Sequence, residues 1–389
     1  MSQPDGYVQP GKEHLVCRLK KSLYGLKQSP RCWYQEFEKY MKSLGFIQTS
    51  ADPCVFIRTG NNLAILAVYV DDLILMTKSL EDMDELKSKL SIQFRMKDMG
   101  SLHYCLGISV VQDEDKKCIW LHQKQYILSM LQKFGMNEAK PVSTPADNNV
   151  RLQKDDGISK PVDPVRYQSL VGSLLYAAIA TRPDISQAVG AVSKYCAKPN
   201  EQHLTAVKRI IRYLKGTVDI AIRYHQTDDE LLIGYADADF ANDVDDRHST
   251  SGTLFLMVNG PVSWLSKKQP VVALSTAEAE YIALSSATQE AIWFRKLLGQ
   301  LSEVTEYQPI ILKEDNQGAI TMAQNHVPHG RTKHIDVKYH FVHEAIQQRL
   351  IELKYCPTDN MIADLLTKPL LKGQFEKLRF AMGMDVMCN

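Results

Sequence analysis

Residues 231–240 read LLIGYADADF, an apolar run into which aspartates enter at alternate positions. Successive side chains of a strand point to opposite faces, so Ile233, Tyr235, Asp237 and Asp239 are expected on one face. Downstream, TLFLMV and VSWLSK flank Asn259-Gly260. Both turn residues tolerate the positive φ that a type I′ hairpin turn needs, so three consecutive strands are expected. From Ser275 the chain reads as a long helix, with Ser275 and Glu278 at capping-box spacing and Gly299 near its end. PIILKED is then a strand, NQGAITMAQ a short helix and about Asp336 to Gln348 another. LIELKYC is a strand, and a final helix is opened by Pro357-Thr358 and closed by Lys368-Pro369.

In that order, Asp237, Glu280, Asp315 and Asp364 fall where element ends would bring them together. Phosphodiester hydrolysis needs an activated water and a stabilised leaving oxygen, which two Mg²⁺ ions about 4 Å apart supply. Hard, octahedral Mg²⁺ takes oxygen ligands, so several carboxylates and no thiols are required. Each acid also has an ordinary reading. Asp243, Asp245 and Asp246 are turn residues, and Asp239 stays open. Glu278 is taken by the helix cap, which leaves Glu280 as the better ligand. Asp315 could cap the helix near Asn316, and Asp364 could lie on a polar helix face.

Toward the N-terminus, LAILAVYV and LILMT flank Asp71 and Asp72, a hairpin with adjacent carboxylates in its turn. A helix is expected before it, from Arg31 to Leu44, and a charged helix after it, from Leu80 to Ile92. Residues 140–163 are rich in Pro, Asp, Asn and Lys without periodicity and read as a linker. Helical stretches VGSLLYAAIA, AVSKYCA and LTAVKRIIRYLKG follow as a small connector. Lys208, Arg209, Arg212 and Lys215 on its last helix form a solvated face or a phosphate-facing stripe.

The 389 residues carry 46 Lys and Arg against 45 Asp and Glu, a net charge of +1, so the total alone argues against a generic nucleic-acid binder. Composition is that of a folded globular protein. The longest apolar run, residues 63–70, is too short to span a bilayer, and the N-terminus lacks a secretory pattern. An intracellular location, cytoplasmic or nuclear, is expected, with no membrane partner. Eight scattered cysteines without a CxxC pair fit reduced thiols.

The segments YADADF, RHSTSG, SWLSKKQP, STAEAEY, EDNQGAI, RTKHIDVKYHF and ADLLTKPL together resemble the ribonuclease H domain of Ty1/copia-type retrotransposon Pol polyproteins. LYGLKQSPRCW, YVDD and MGSLHYCLGI resemble blocks of the reverse transcriptase of the same family. The resemblance implies an α+β and α/β architecture in four parts. Residues 1–140 would be a partial palm and thumb, 141–230 a linker and helical connection, 231–370 a ribonuclease H-like domain with a mixed five-stranded sheet, and 371–389 a tail. It implies that Asp237, Glu280, Asp315 and Asp364 bind Mg²⁺, or Mn²⁺, and cleave the RNA strand of RNA/DNA hybrids. It also implies that Tyr69, Asp71, Asp72, Gly25, Gln28 and Pro30 belong to a polymerase motif, with Asp71 and Asp72 as metal ligands. Lys267, Lys268, Arg331 and Lys333 are candidate backbone contacts.

The family's first polymerase aspartate lies upstream of PDGY, and the chain starts at Met1 beside that segment. The chain alone is therefore not expected to polymerise DNA, unless the remainder of the polyprotein or a complete palm acts in trans. Many ribonucleases H carry a mobile histidine before the last helix, where this chain reads LKYCPTDN; His334 and His340 are the nearest alternatives. Two other readings compete: a non-catalytic retroelement remnant with weak nucleic-acid binding, and a zinc site from His326, His329, His334, His340 and Cys356.

Overall fold

A computed structural model describes residues 1–226, 232–302, 308–325 and 336–387. These fall into two compact units: residues 1–98 with the end of one long helix, and the remainder.

In the first unit, helix α1 (Ser29–Ser43) precedes an antiparallel sheet of β1 (Ile47–Gln48), β2 (Val55–Arg58), β3 (Ala64–Tyr69) and β4 (Asp72–Thr77), and α2 (Leu80–Gln93) follows. Alternation along β3 buries Ala64, Leu66 and Val68, which join Phe37 and Met41 of α1 and Leu86 and Leu90 of α2 in one core. Ser79 caps α2 by accepting the Asp82 amide at 3.1 Å. The expected carboxylate hairpin is present with one correction. Tyr69 pairs with Asp72, so Asp72 is a strand residue and the turn is Val70-Asp71. Val70 adopts φ of 52°, a strained conformation for a β-branched residue.

The second unit holds two five-stranded sheets. One is antiparallel throughout, in the order β14-β8-β7-β6-β5, from β5 (Tyr104–Cys105), β6 (Ile108–Asp113), β7 (Cys118–His122), β8 (Ile220–His225) and β14 (Met384–Val386). This corrects two expected boundaries. Residues 104–122 do not close an N-terminal domain ending at 140, because Cys118 to Leu121 pair with Ile222 to His225. Residues 371–389 are not a mere tail: α10 (Lys372–Ala381) buries Phe375 and Leu378, and β14 completes the sheet.

Between the strands of that sheet lie α3 (Lys124–Lys133), α4 (Pro164–Ala180), α5 (Ser186–Ser193) and α6 (Glu201–Gly216). The AVSKYCA stretch is helical only to Ser193. Residues 140–163 contain no helix or strand, yet they are pinned rather than free. Arg209 on α6 donates to the Thr144 carbonyl at 3.2 Å and pairs with Asp147 at 3.0 Å, and the His203 ring meets the Gln153 carbonyl at 2.9 Å.

The other sheet is the expected mixed one, in the order β11-β10-β9-β12-β13, from β9 (Ile233–Ala238), β10 (Thr250–Met257), β11 (Gly260–Lys268), β12 (Ile310–Glu314) and β13 (Ile351–Tyr355). β9 pairs antiparallel with β10 and parallel with β12. Its central place buries Gly234 to Ala238 on both faces, where alternation alone had suggested one. The β10–β11 turn puts its positive φ on Val258 and Asn259, not on Asn259 and Gly260. Gly260 serves packing instead: a Cβ there would lie 2.5 Å from the Tyr224 ring.

Helix α7 (Thr276–Leu301) packs Ala279 and Ala283 against Ala238. Next come α8 (Gln317–Gln324) and α9 (Asp336–Gln347). The expected final helix is absent; Thr358–Asn360 and Ile362–Leu366 form two 3₁₀ turns. The reason is burial. Every residue from Met361 to Thr367 is buried, which a surface α-helix with one solvent face does not achieve.

Candidate metal centre

The centre is assembled from the end of β9, the first turns of α7, the residue after β12 and the 3₁₀ turn Ile362–Leu366. Asp237 is one residue short of the end of β9 and almost fully buried. On α7, Ser275 accepts the Glu278 amide at 3.2 Å while Glu278 accepts the Leu274 amide at 3.0 Å, so the cap consumes Glu278. Glu280 projects inward, and its Oε2 accepts the Ala238 amide at 2.7 Å. Asp315 follows β12 directly. It does not cap α8, because Asn316 does so by accepting the Ala319 amide at 3.0 Å.

Asp237, Glu280 and Asp315 each offer a carboxylate oxygen, all within 4.8 Å of one another. Oxygens on opposite sides of an octahedral Mg²⁺ stand about 4.2 Å apart, so small side-chain rotations close the three onto one ion. The donor set of three carboxylates and no thiol suits a hard divalent cation.

Asp364 belongs to the same neighbourhood but not to that group. It lies in the Ile362–Leu366 turn, close enough to Asp237 for the two charges to repel, and its Oδ1 is 2.8 Å from Lys368 Nζ. Thr367 Oγ1 donates to Asp237 Oδ2. Glu314, fully buried at the end of β12, accepts the Asn316 amide at 3.1 Å through Oε1, and its Oε2 has no partner among the described residues. Alternation along β12 marks Glu314 as inward-facing, but its neighbour Asp315 drew the functional reading. Lys368 stands four residues after Asp364, a helical spacing that the 3₁₀ turns also bring together.

Burial and mutual repulsion govern the electrostatics. Desolvation, then the charges of Asp237, Glu314 and Asp315, push Glu280 up to about 11. Desolvation and Asp237 push Asp364 up to about 7. Asp237 and Glu314 are likewise raised, chiefly by burial, and Asp239 is pushed up to about 6. Burial works against the Lys368 ammonium, but Asp237, Asp364 and Asp315 outweigh it and hold its pKa above the ordinary lysine value. A bound divalent cation would supply the positive charge this cluster lacks.

The other expected site residues lie elsewhere. Tyr69, Asp71 and Asp72 are exposed on the β3–β4 hairpin, where Tyr24 donates to Asp71 Oδ2 at 3.2 Å. Gly25 (φ 87°) and Gln28 precede α1, and Pro30 lies in its first turn. Among the described residues these acids join no group of three metal-ligating side chains. Lys267 is exposed, while Lys268 is held by Asp243 at 2.7 Å and Asp246 at 2.6 Å. Arg331, Lys333, His326, His329 and His334 lie outside the described residues. Among those described, no zinc-type cluster forms around Cys356 or His340.

Comparison with known proteins adds a lineage to this geometry. Residues 1–148 match the family described as reverse transcriptase (RNA-dependent DNA polymerase). The chain is 41% identical to the retrovirus-related Pol polyprotein from transposon TNT 1-94 of Nicotiana tabacum, over 99% of this chain and 29% of that protein. A putative transposon Ty5-1 protein of Saccharomyces cerevisiae is 33% identical, over 75% of this chain and 94% of its own length. Among solved structures, LC11-RNase H1 isolated from compost aligns with 38% of this chain and 98% of its own, at 16% identity and a TM-score of 0.29.

Proposed function

Since the chain belongs to the Ty1/copia-type retrotransposon Pol family, we propose that its C-terminal part is a ribonuclease H, cleaving the RNA strand of RNA/DNA hybrids with Mg²⁺ or Mn²⁺. The observation that carries this reading is the gathering of Asp237, Glu280 and Asp315 oxygens within 4.8 Å.

In this reading those three carboxylates hold the first ion, and Asp364 with Asp237 serves a second position. The ions, when bound, supply a nucleophile at neutral pH and charge stabilisation for the leaving oxygen. The chain's own groups fix the ligands. The Ala238 amide orients Glu280, Thr367 orients Asp237, and the Ser275 cap anchors the first turn of α7 from which Glu280 projects. Lys267 and Lys268 are proposed backbone contacts, and the rest of a Pol polyprotein is a proposed partner. The chain spans 29% of the tobacco polyprotein it matches. The metal chemistry proposed here is that of the C-terminal centre; Asp71 and Asp72 of the polymerase motif are proposed ligands of a separate site. No described helix is long and apolar enough to cross a membrane.

The test is cleavage of a hybrid labelled on its RNA strand. Cutting of RNA and not DNA, dependent on divalent metal and abolished in Asp315→Asn, is the expected result. Cleavage that survives Asp315→Asn or EDTA overturns the assignment, and absence of cleavage in the wild-type chain leaves the non-catalytic reading in its place.

A further inference from the structure

The basic stripe on α6 divides in the folded chain. Lys208 and Lys215 stay outside, whereas Arg209 and Arg212 line a cleft of about 730 Å³. The lining also includes Lys268 of β11, Asp239, and Lys368, the lysine paired with Asp364 of the candidate metal centre. Arg151, from the pinned 140–163 segment, and Lys194 complete a lining of six basic against four acidic side chains.

Most of the lining cations are paired, Lys368 with Asp364 at 2.8 Å among them. Asp147 is engaged by Arg209 at 3.0 Å. Asp243 is shared between Lys194 at 2.8 Å and Lys268 at 2.7 Å, and Lys268 is also held by Asp246 at 2.6 Å. Asp239 accepts the Thr250 amide. Arg212 donates its Nε to the Lys140 carbonyl at 2.6 Å, and among the described residues its terminal nitrogens have no partner, so they can act as donors. Arg151 is exposed and makes no polar contact among the described residues. The donors of Arg151 and Arg212 in this polar cleft suit phosphate oxygens, and such contacts carry affinity without sequence preference.

We propose that this cleft holds the sugar-phosphate backbone of one nucleic-acid strand beside the metal centre, so that the connector helix α6 is part of the substrate surface. The proposal rests on the nuclease reading for its direction, since the strand it holds is the one extending from the acids. It assigns a binding role to residues 151–212, outside the sheet that carries the acids.

The experiment uses the full chain carrying Asp315→Asn, so that substrate persists, with a fluorescein-labelled 20-base-pair RNA/DNA hybrid and a 20-nucleotide single-stranded DNA as probes. Arg151→Glu and Arg212→Glu are compared with Lys208→Glu, the same charge change on α6 outside the cleft, after circular dichroism has verified that each variant is folded. Each cleft variant is expected to weaken binding of both probes and to make the log Kd against log salt slope shallower by about one. Lys208→Glu is expected to leave the slope as it was. Equal effects of all three variants, or none, overturn the proposal. Cleavage is scored separately in the Asp315 chain. Unchanged binding with intact cleavage removes the cleft and keeps the nuclease, whereas lost binding in the cleft variants without wild-type cleavage does the reverse.

Discussion

Lys368 Nζ lies 2.8 Å from Asp364 Oδ1, so the fourth acid of the centre is already paired with a cation of the chain itself. The pair divides the acids into three that face one another and one that is neutralised in place. Lys368→Met removes the positive charge from a buried group of carboxylates. In EDTA the variant is expected to melt below wild type, and its affinity for Mn²⁺, read by calorimetry, is expected to rise. Lys368→Arg should restore both. A melting temperature and an affinity equal to wild type in Lys368→Met would show that the pair has no electrostatic role.

The same division separates Asp315 from Asp364 as ligands. Asp315→Asn is expected to lower affinity for the first ion by at least about 100-fold, since even outer-shell losses reach that size. Asp364→Asn should leave that first affinity within about threefold, because a neutral amide can still accept from Lys368. Calorimetric titration with Mn²⁺ distinguishes the two, and equal losses would argue against the three-plus-one arrangement.

Gly252 pairs with Asp237 across β9 and β10, and a Cβ on it would meet Thr367 Cγ2 at 2.7 Å, Leu366 Cβ at 2.9 Å and the Ala363 carbonyl at 3.0 Å. Those atoms belong to the segment that carries Asp364. Gly252→Ala is therefore expected to cost about 1–3 kcal/mol by overpacking and to reduce hybrid cleavage along with it. A variant as stable and active as wild type would mean that the segment shifts freely.

Arg182 and Asp184 form a fully buried ion pair at 2.7 Å, and Tyr213 of α6 donates to Asp184 while accepting from Arg379 of α10 at 2.9 Å. Asp184→Ala leaves a buried guanidinium uncompensated, which is expected to cost about 3–5 kcal/mol. Urea unfolding should show it as a lower midpoint.

The Asp243 carboxylate gives an acid-range prediction. Burial works against its ionisation, yet hydrogen bonds from Lys194 and Lys268 hold its pKa below the usual aspartate value. A depressed folded pKa contributes stability that is present above about pH 4 and lost as the pH falls through the folded value. Wild type should thus lose more stability than Asp243→Asn on going from about pH 5 to about pH 2.5. Parallel acid limbs in thermal melts of the two proteins would refute this.

Order and kind of the elements were legible in the sequence wherever local physics sets them. An apolar run marked β3, alternation marked β9, and the Ser275 cap separated Glu278 from Glu280 before any contact was known. Asn316, rather than Asp315, became the cap of α8, and nothing in the local sequence chose between them. Long-range pairing decided the rest. Main-chain hydrogen bonds carried residues 104–122 away from the N-terminal unit to join β8 and β14, because a strand edge is satisfied by any partner the fold brings beside it. Burial of every residue from Met361 to Thr367 accompanies 3₁₀ turns where a helix was expected. The resemblance named four acids, but which three share an ion-sized space, and which one meets a lysine, depended on burial and distance that only the tertiary structure supplies.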